Sequence, residues 1–429
     1  MKIAVVGAGV VGIACAHELS QDGHEVTVFE RRSTVAEEAS FASGALIAPG
    51  WSAPWNPAAQ KVGWPWSTAT DGLQLARLPR GKEWSWLWQW RQAHQGPQHA
   101  VQEQIHRLMR YSQERLQAIT DRHQLEHDRS HGMLVLLRTE RDASLAQATL
   151  QQLRDLGLAA KHITADEARA LEPALSTETA LHGAIELGGE AVANCREFAV
   201  LLRSQAQQSG CRFEFNTIVS RVDTLTPGFQ LELVRTASHP NHHDEAAQQP
   251  QRFDAVVICA GAASAGLLGS MGLKVPLQTV RGHSLSAAVR EPMDAPQSAV
   301  FDARLGVSIA RLGQRVRVAG GQEWGRGSNT PSKTGLRRLY RALSDWFPGA
   351  VRLGGPAGNV QEWCGEQATT PDGAPLIGPS RVPGLWLNLG HGPCGWSMAC
   401  GSARLLADQI SARAPELSLV QCSPQRYGI

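Results

Sequence analysis

No two of the eight cysteines stand at CxxC spacing: Cys15, Cys195, Cys211, Cys259, Cys364, Cys394, Cys400 and Cys422 are scattered along the chain. That excludes a zinc knuckle and a redox dithiol and fits reduced packing thiols in a cytoplasmic protein. A run of about 18 apolar residues is also missing, so no segment reads as a membrane-spanning helix. Nor does a secretory leader precede the first strand. Charge of one sign is not in excess, since 41 basic residues face 39 acidic ones for a formal net charge of +2. The basic stripe of a nucleic-acid binder is therefore absent. Tyrosine is scarce, with three in 429 residues, and no internal repeat is visible. Hydrophobic residues at 42% and charged residues at 19% are ordinary for a globular enzyme, and the length suggests two domains or three.

Glycine is abundant, at 42 residues. Residues 3–6 form an apolar run of the kind buried in a parallel sheet. Gly7-Ala8-Gly9-Val10-Val11-Gly12 follows, then a helical stretch to about Gln21, a stop at Gly23 and a second strand over 26–29 closed by Glu30. Gly7 permits the strand-to-helix turn, Gly9 lets backbone approach a pyrophosphate, and Gly12 lets helix and strand pack closely. The helix N-terminus offers free N–H groups and its positive dipole end to phosphates. Glu30 is placed to accept ribose hydroxyls, and its charge disfavours the extra phosphate of NADP. Strand, GxGxxG, helix, strand and acidic residue in this order define a dinucleotide site, without choosing between NAD and FAD.

Beyond this unit the pattern predicts helices near 101–124, 142–156, 191–208, 331–345 and 395–412. Strands are predicted at 133–138, 211–215, 218–224, 229–235 and 253–258. Residues 238–250 are polar and read as a loop at a hairpin tip. Eight of the 13 tryptophans fall within 51–90 (Trp51, Trp55, Trp64, Trp66, Trp84, Trp86, Trp88 and Trp90). On a helix the last four would form two stripes, 84/88 and 86/90. With Arg77, Arg80, Lys82 and Arg91 beside them, they read either as a lipid-surface or quinone-access element or as packing in a substrate domain or subunit interface. His239, His242, His243 and Asp244 are metal ligands by type, but a flexible loop lacks the supporting contacts a site needs, so no metal is expected.

Several blocks resemble the FAD-dependent D-amino acid dehydrogenases of bacteria, within the group that includes glycine oxidase, sarcosine oxidase and D-amino acid oxidase. They are VVGAGVVGIACAHEL at 5–19, ASFASGALIAPGW at 39–51, MRYSQERL at 109–116, LEPAL at 171–175, FEFNT at 213–217, VVICAGAAS at 256–264, TPDGAPLIG at 370–378 and LWLNLGHGPCGWSMACGSARLLADQI at 385–410. The resemblance implies an α/β protein. A Rossmann-like FAD-binding domain would draw on 1–46, 191–270 and 352–429. A discontinuous α+β substrate domain with a mixed sheet would draw on 47–190 and 271–351.

It further implies that Gly7, Ala8, Gly9, Val10, Val11, Gly12 and Glu30 hold the ADP moiety, helped by Arg31 and Ser40. Ser43, Gly44, Ala45 and Leu46 would run along the isoalloxazine, and Val219, Ala260 and Gly261 would close on the ADP side. Gly390, His391, Gly392, Gly395, Trp396 and Ser397 would cover the flavin's polar edge, stabilising negative charge on the reduced ring. The implied reaction is hydride transfer from an amine-bearing carbon to flavin N5. The imine would hydrolyse to a keto acid and ammonia, with electrons passed to a quinone, another carrier or oxygen. A covalent flavin link through Cys394 is conceivable by position alone.

The chain departs from its relatives where their Gly-Leu-Arg-Pro clamps the substrate carboxylate. Here the stretch is Gly365-Glu366-Gln367-Ala368, and Gln367 cannot offer a charged fork. The loss is worth about 1.5–3 kcal/mol, unless Arg281, Arg304 or Arg311 substitutes. His283 falls where a tyrosine is found in the dehydrogenases, and reads either as a substrate contact or as a structural histidine. Two rival functions remain open. One is an oxygen-using amine oxidase acting on a carboxylate-masked substrate such as an ester, an opine-like compound or a carrier-bound aminoacyl group. The other is a non-catalytic flavoprotein that relays electrons. The expected location is cytoplasmic, with peripheral attachment to the membrane's inner face if the tryptophans meet lipid; the oligomeric state is open.

Overall fold

The computed structural model describes residues 1–51, 74–81, 83–95, 99–236, 246–325, 330–354 and 360–429. Trp55, Trp64, Trp66, Lys82, His239, His242, His243 and Asp244 lie outside the described residues.

The expected α/β architecture is present. One sheet has six strands in the order Leu376–Pro379, Leu385–Leu389, Ala255–Ile258, Lys2–Val6, Glu25–Phe29, Arg212–Glu214. All its pairings are parallel except that of the first two. Both faces are covered, which is why these strands are apolar throughout rather than alternating. On one face Ile13, Leu19, Phe198, Leu202, Leu405 and Leu406 pack from the helices Val10–Gln21, Cys195–Gln208 and Gly395–Ile410. On the other lies an antiparallel unit built on Thr217–Thr224, Phe229–Arg235 and Gln251–Phe253.

A second, ten-stranded mixed sheet runs through Gln361–Thr369, Gln278–Ala288, Arg315–Trp324, Val307–Leu312, Ala299–Asp302, Arg129–Leu137, Gly183–Ala193 and Leu46–Ile47. Its central strands alternate. Leu285, Ala287, Val316, Val318, Val307 and Ile309 pack under Leu339, Leu343 and Trp346 of the helix Lys333–Trp346. Side chains at alternate positions point the opposite way, and that face carries Ser284, Ser286, Arg315 and Arg317. The strand Gln361–Thr369 pairs along its length with Gln278–Ala288, so the segment 352–429 supplies strands to both sheets.

The helix expected from residue 191 begins only at Cys195. Residues 183–193 instead continue an antiparallel pairing with Arg129–Leu137, and Asn194 stops the strand by accepting the Glu197 N–H at 3.4 Å as N-cap. The tryptophan stripes sit on the helix Glu83–Gln95. Trp86 and Trp90 are buried, Trp86 stacking on Trp324 and donating to the Pro276 carbonyl at 3.0 Å. Trp84 and Trp88 are exposed at 49% and 61%. Among the described residues no helix is long and apolar enough to cross a membrane. All eight cysteines are free thiols.

Candidate cofactor and substrate site

The first βαβ unit is packed so tightly that two of its glycines are obligatory. Gly7 has φ +103°, and a Cβ there would lie 2.7 Å from the Cys259 carbonyl oxygen. A Cβ on Gly12 would lie 1.9 Å from the Gly7 carbonyl oxygen. Gly9 is different: the nearest atom to a Cβ would be Ser40 Oγ at 3.4 Å, so the fold itself tolerates a side chain there. Gly9 is the N-cap of its helix and supplies no side-chain cap. This helix end borders a cavity of about 420 Å³, whose wall includes Gly7, Gly9, Val10 and Val11.

Glu30 lines the same cavity and accepts from Ala8 N at 2.7 Å and Arg32 N at 2.8 Å. Burial pushes its carboxyl upward, against those two N–H groups, which favour the anion. Ser40 accepts from Val10 N at 3.1 Å, and Arg31 on the wall is paired with Glu38 at 2.8 Å. Val219, Ala260 and Gly261 close the cavity here, together with Thr217 and Ser220, which sequence reasoning did not single out.

The wall also includes Ser43, Gly44 and Cys195, together with Gly390, His391, Gly392, Gly395 and Trp396. A second helix N-terminus points here: neither the short turn Gly392–Cys394 nor the helix Gly395–Ile410 has a side-chain cap. Ala8, Gly12, Ala45, Leu46 and Ser397 are not on the wall but behind it. Ser397 braces the wall by donating to the Leu46 carbonyl at 3.1 Å, and Ala45, at φ +63°, accepts from Ala193 N at 2.9 Å. His391 is on the wall, but burial lowers its pKa to about 3, so it is a neutral ring near Ser402 Oγ (3.3 Å) and no proton donor at neutral pH. Cys394 lies off the wall, and burial raises its thiol to about 12, which leaves no thiolate to attack a flavin.

The residues expected on the substrate side are not brought together. Gln367 lines the cavity, and its Oε1 is buried with no hydrogen-bond partner among the described residues. Glu366 beside it also lines the cavity and is ion-paired with Arg281, the residue directly opposite on the neighbouring strand. Arg281 therefore arrives near the site with a carboxylate already on it. Arg304 is bound to Thr139 and Asp142. Arg311 donates to the carbonyls of Gly313 and Pro292 and does not line the cavity. His283 is away from it as well. Its Nδ1 meets the Gly321 carbonyl at 2.8 Å, and its Nε2 accepts from Ser332 N at 3.0 Å, so the ring fills space beneath Gly335. A Cβ at Gly335 would approach His283 to 2.8 Å. Of its two sequence readings, the geometry matches a structural histidine.

A residue that sequence reasoning passed over stands directly behind the wall, in contact with Ser43. Arg317 donates from Nη1 to the Ser43 carbonyl at 3.1 Å, and its Nε is buried with no hydrogen-bond partner among the described residues. Burial lowers its pKa to about 10, with Arg315 adding to the effect, so it remains cationic. The signal was the alternation of Arg315-Val316-Arg317-Val318, which places two arginines on one sheet face. No cluster of metal ligands occurs among the described residues.

Two helix N-termini on the wall of one cavity, with an acidic residue just after the second strand, define a dinucleotide-binding protein. The chain belongs to the family described as DAO, FAD dependent oxidoreductase, which it matches over residues 2–409. It is 33% identical over 432 residues to a D-amino acid dehydrogenase of Cereibacter sphaeroides, covering 100% of this chain and 95% of that protein. Its fold is similar to that of glycine oxidase from Geobacillus kaustophilus, with a TM-score of 0.74 at 20% identity over 98% of this chain and 97% of that one. It is also similar to L-proline dehydrogenase from P. horikoshii, with a TM-score of 0.73 at 18% identity over 99% and 97% of the two chains. The protein is an FAD-dependent oxidoreductase. FAD suits the cavity on the protein's own terms, since Gly9 leaves room on the wall and no side chain caps the helix Gly395–Ile410.

Proposed function

We propose that the chain oxidises a D-amino acid or an N-substituted amino acid. The carbon-bound hydrogen leaves with its electron pair, the amine becomes an iminium, and water releases a keto acid and ammonia or the substituted amine. Bound FAD supplies the two-electron acceptor at N5. The observation that carries the reading is the helix N-terminus without a side-chain cap on the cavity wall, in a chain a third identical along its whole length to a D-amino acid dehydrogenase.

The chain's own residues bind and orient. The helix end at Gly9 offers its dipole and the Val11 N–H to the pyrophosphate, Glu30 takes ribose hydroxyls, and Gly390–Gly395 offers donors and a dipole to the flavin's polar edge. Cofactor-binding segments fall within 1–46, 191–270 and 352–429. The face of the ten-stranded sheet bearing Ser284 and Arg317 supplies the substrate side, drawn from 271–351. Burial keeps His391 a neutral ring, and the protein's contribution is to position the amine-bearing carbon. Electrons then pass to a quinone or another carrier.

The test is to incubate FAD-loaded protein with single amino acids and an artificial acceptor, and to quantify keto acid and ammonia. Equal yields of keto acid and ammonia from an unsubstituted D-amino acid support the reading; acceptor reduction without keto acid overturns it. Gln367 and Glu366 on the cavity wall favour a second reading, an oxygen-using oxidase of a carboxylate-masked amine. Oxygen uptake with esters but not free acids would select it.

A further inference from the structure

We propose that Arg317 and Ser284 form an anion subsite that holds the carboxylate of the amino-acid substrate, in place of residue 367. This rests on the function proposed above. Arg317 and Ser286 are directly opposed in the sheet, as are Ser284 and Ala319, so Ser284 and Arg317 are diagonal neighbours on one face, roughly 7–8 Å apart at the backbone and within reach of a long side chain. That face looks toward the flavin-side loop: a Cβ on Gly44 would meet Ser308 Oγ at 3.4 Å and Ala319 Cβ at 3.5 Å.

Ser284 is buried, and its Oγ has no hydrogen-bond partner among the described residues. The same holds for Arg317 Nε and for Nε1 of Trp363, the residue opposite Ser284 on the other neighbouring strand. Buried polar groups are ordinarily satisfied, so three on one face call for an occupant. Arginine and tryptophan nitrogens only donate, and a serine hydroxyl can donate. The occupant must therefore be rich in acceptors. No ion pair to Arg317 occurs among the described residues, and its guanidinium is tied to the cavity only through the Ser43 carbonyl. A cation with one carbonyl contact and no counterion matches a carboxylate, which takes a guanidinium edge through two oxygens. Arg281 lacks this freedom, because Glu366 is on it.

The experiment compares the FAD-loaded protein with Arg317→Gln, Arg317→Lys and Ser284→Ala, using a D-amino acid and its methyl ester. The Arg317→Gln variant is expected to raise KM for the free acid by about 10- to 150-fold with a smaller effect on kcat, and to leave KM for the ester near its original value. Arg317→Lys restores part of the loss, since charge returns without the fork. Acetate, a plain carboxylate, is expected to perturb the visible flavin spectrum of the original protein and not of Arg317→Gln. That readout needs no turnover. If no amine is oxidised but acetate binds through Arg317, the subsite stands and the amine reading fails. Equal KM changes for acid and ester, or loss of flavin content with both KM values unchanged, would overturn the subsite.

Discussion

A Cβ built on Gly12 falls 1.9 Å from the carbonyl oxygen of Gly7, whereas one built on Gly9 touches only Ser40 Oγ at 3.4 Å. The three glycines of the loop thus do different work. Gly7 and Gly12 are demanded by the contact of strand and helix, and Gly9 by what lies outside the protein. Gly12→Ala is expected to yield misfolded or insoluble chain. Gly9→Ala is expected to fold, with a melting temperature of the FAD-free form close to the original, and to bind FAD at least tenfold more weakly. Flavin titration of the two variants checks this; an FAD-replete Gly12→Ala protein would contradict it.

Acid should loosen the fold through buried histidines. Burial lowers His17 to about 4 and His391 to about 3, against about 6.5 in an unfolded chain. Because the folded pKa values are the lower ones, the unfolded chain takes up these protons first as pH falls. Their contribution is fully present above about pH 6.5 and declines steadily from there toward pH 4. Each pH unit crossed costs about 1.4 kcal/mol per group. Melting temperatures measured between pH 4.5 and 7.5 should drop with acid, and less steeply in His17→Gln. An unchanged slope in that variant would refute the assignment.

Glu190 should act with the opposite sign. It is buried, accepts from Gly50 N at 2.8 Å through Oε1, and has no partner for Oε2 among the described residues. Burial raises its pKa to about 8, so the folded chain holds a proton that the unfolded chain has already released. Its contribution is complete below about 4.5 and is lost as pH rises toward 8. Glu190→Gln keeps the acceptor for Gly50 and removes the titration. The variant is expected to melt higher at pH 8 than the original protein, by a margin that shrinks at pH 5.

The charge of Glu366 on the cavity wall should work against anionic substrates. Glu366→Gln is expected to lower KM for a free amino acid by roughly fivefold, the effect of about 1 kcal/mol of like-charge repulsion removed, and to leave KM for the ester unchanged. Steady-state kinetics at low salt give the readout. A higher KM for the acid would show that Glu366 binds the amine instead.

What the sequence disclosed was local. Strand, glycine loop, helix and Glu30 are contiguous, and each has a fixed geometric reason, so the βαβ unit bordering the cavity was legible, though packing sets Ala8 and Gly12 behind the wall. The flavin end was legible where Gly390–Gly395 runs into its helix. Ala45, Leu46 and Ser397 belong to the same region, but they stand behind the wall, because distance from a cavity is set by packing and not by adjacency in sequence. The substrate side was hardest. His283 and Arg311 are on the right strands, yet the pairing register turns His283 under the helix Lys333–Trp346 and leaves Arg311 on backbone carbonyls. Register across an antiparallel sheet cannot be read from one strand alone, and it is register that puts Arg317 beside Ser284.

The most direct measurement is anaerobic titration of the FAD-loaded protein with D-amino acids and N-substituted amino acids, followed through the visible flavin band. Bleaching by at least one of these acids, with keto acid formed in equal amount to flavin reduced, is the expected result. A band that dithionite bleaches but no amine in the panel alters would contradict amine oxidation by this chain.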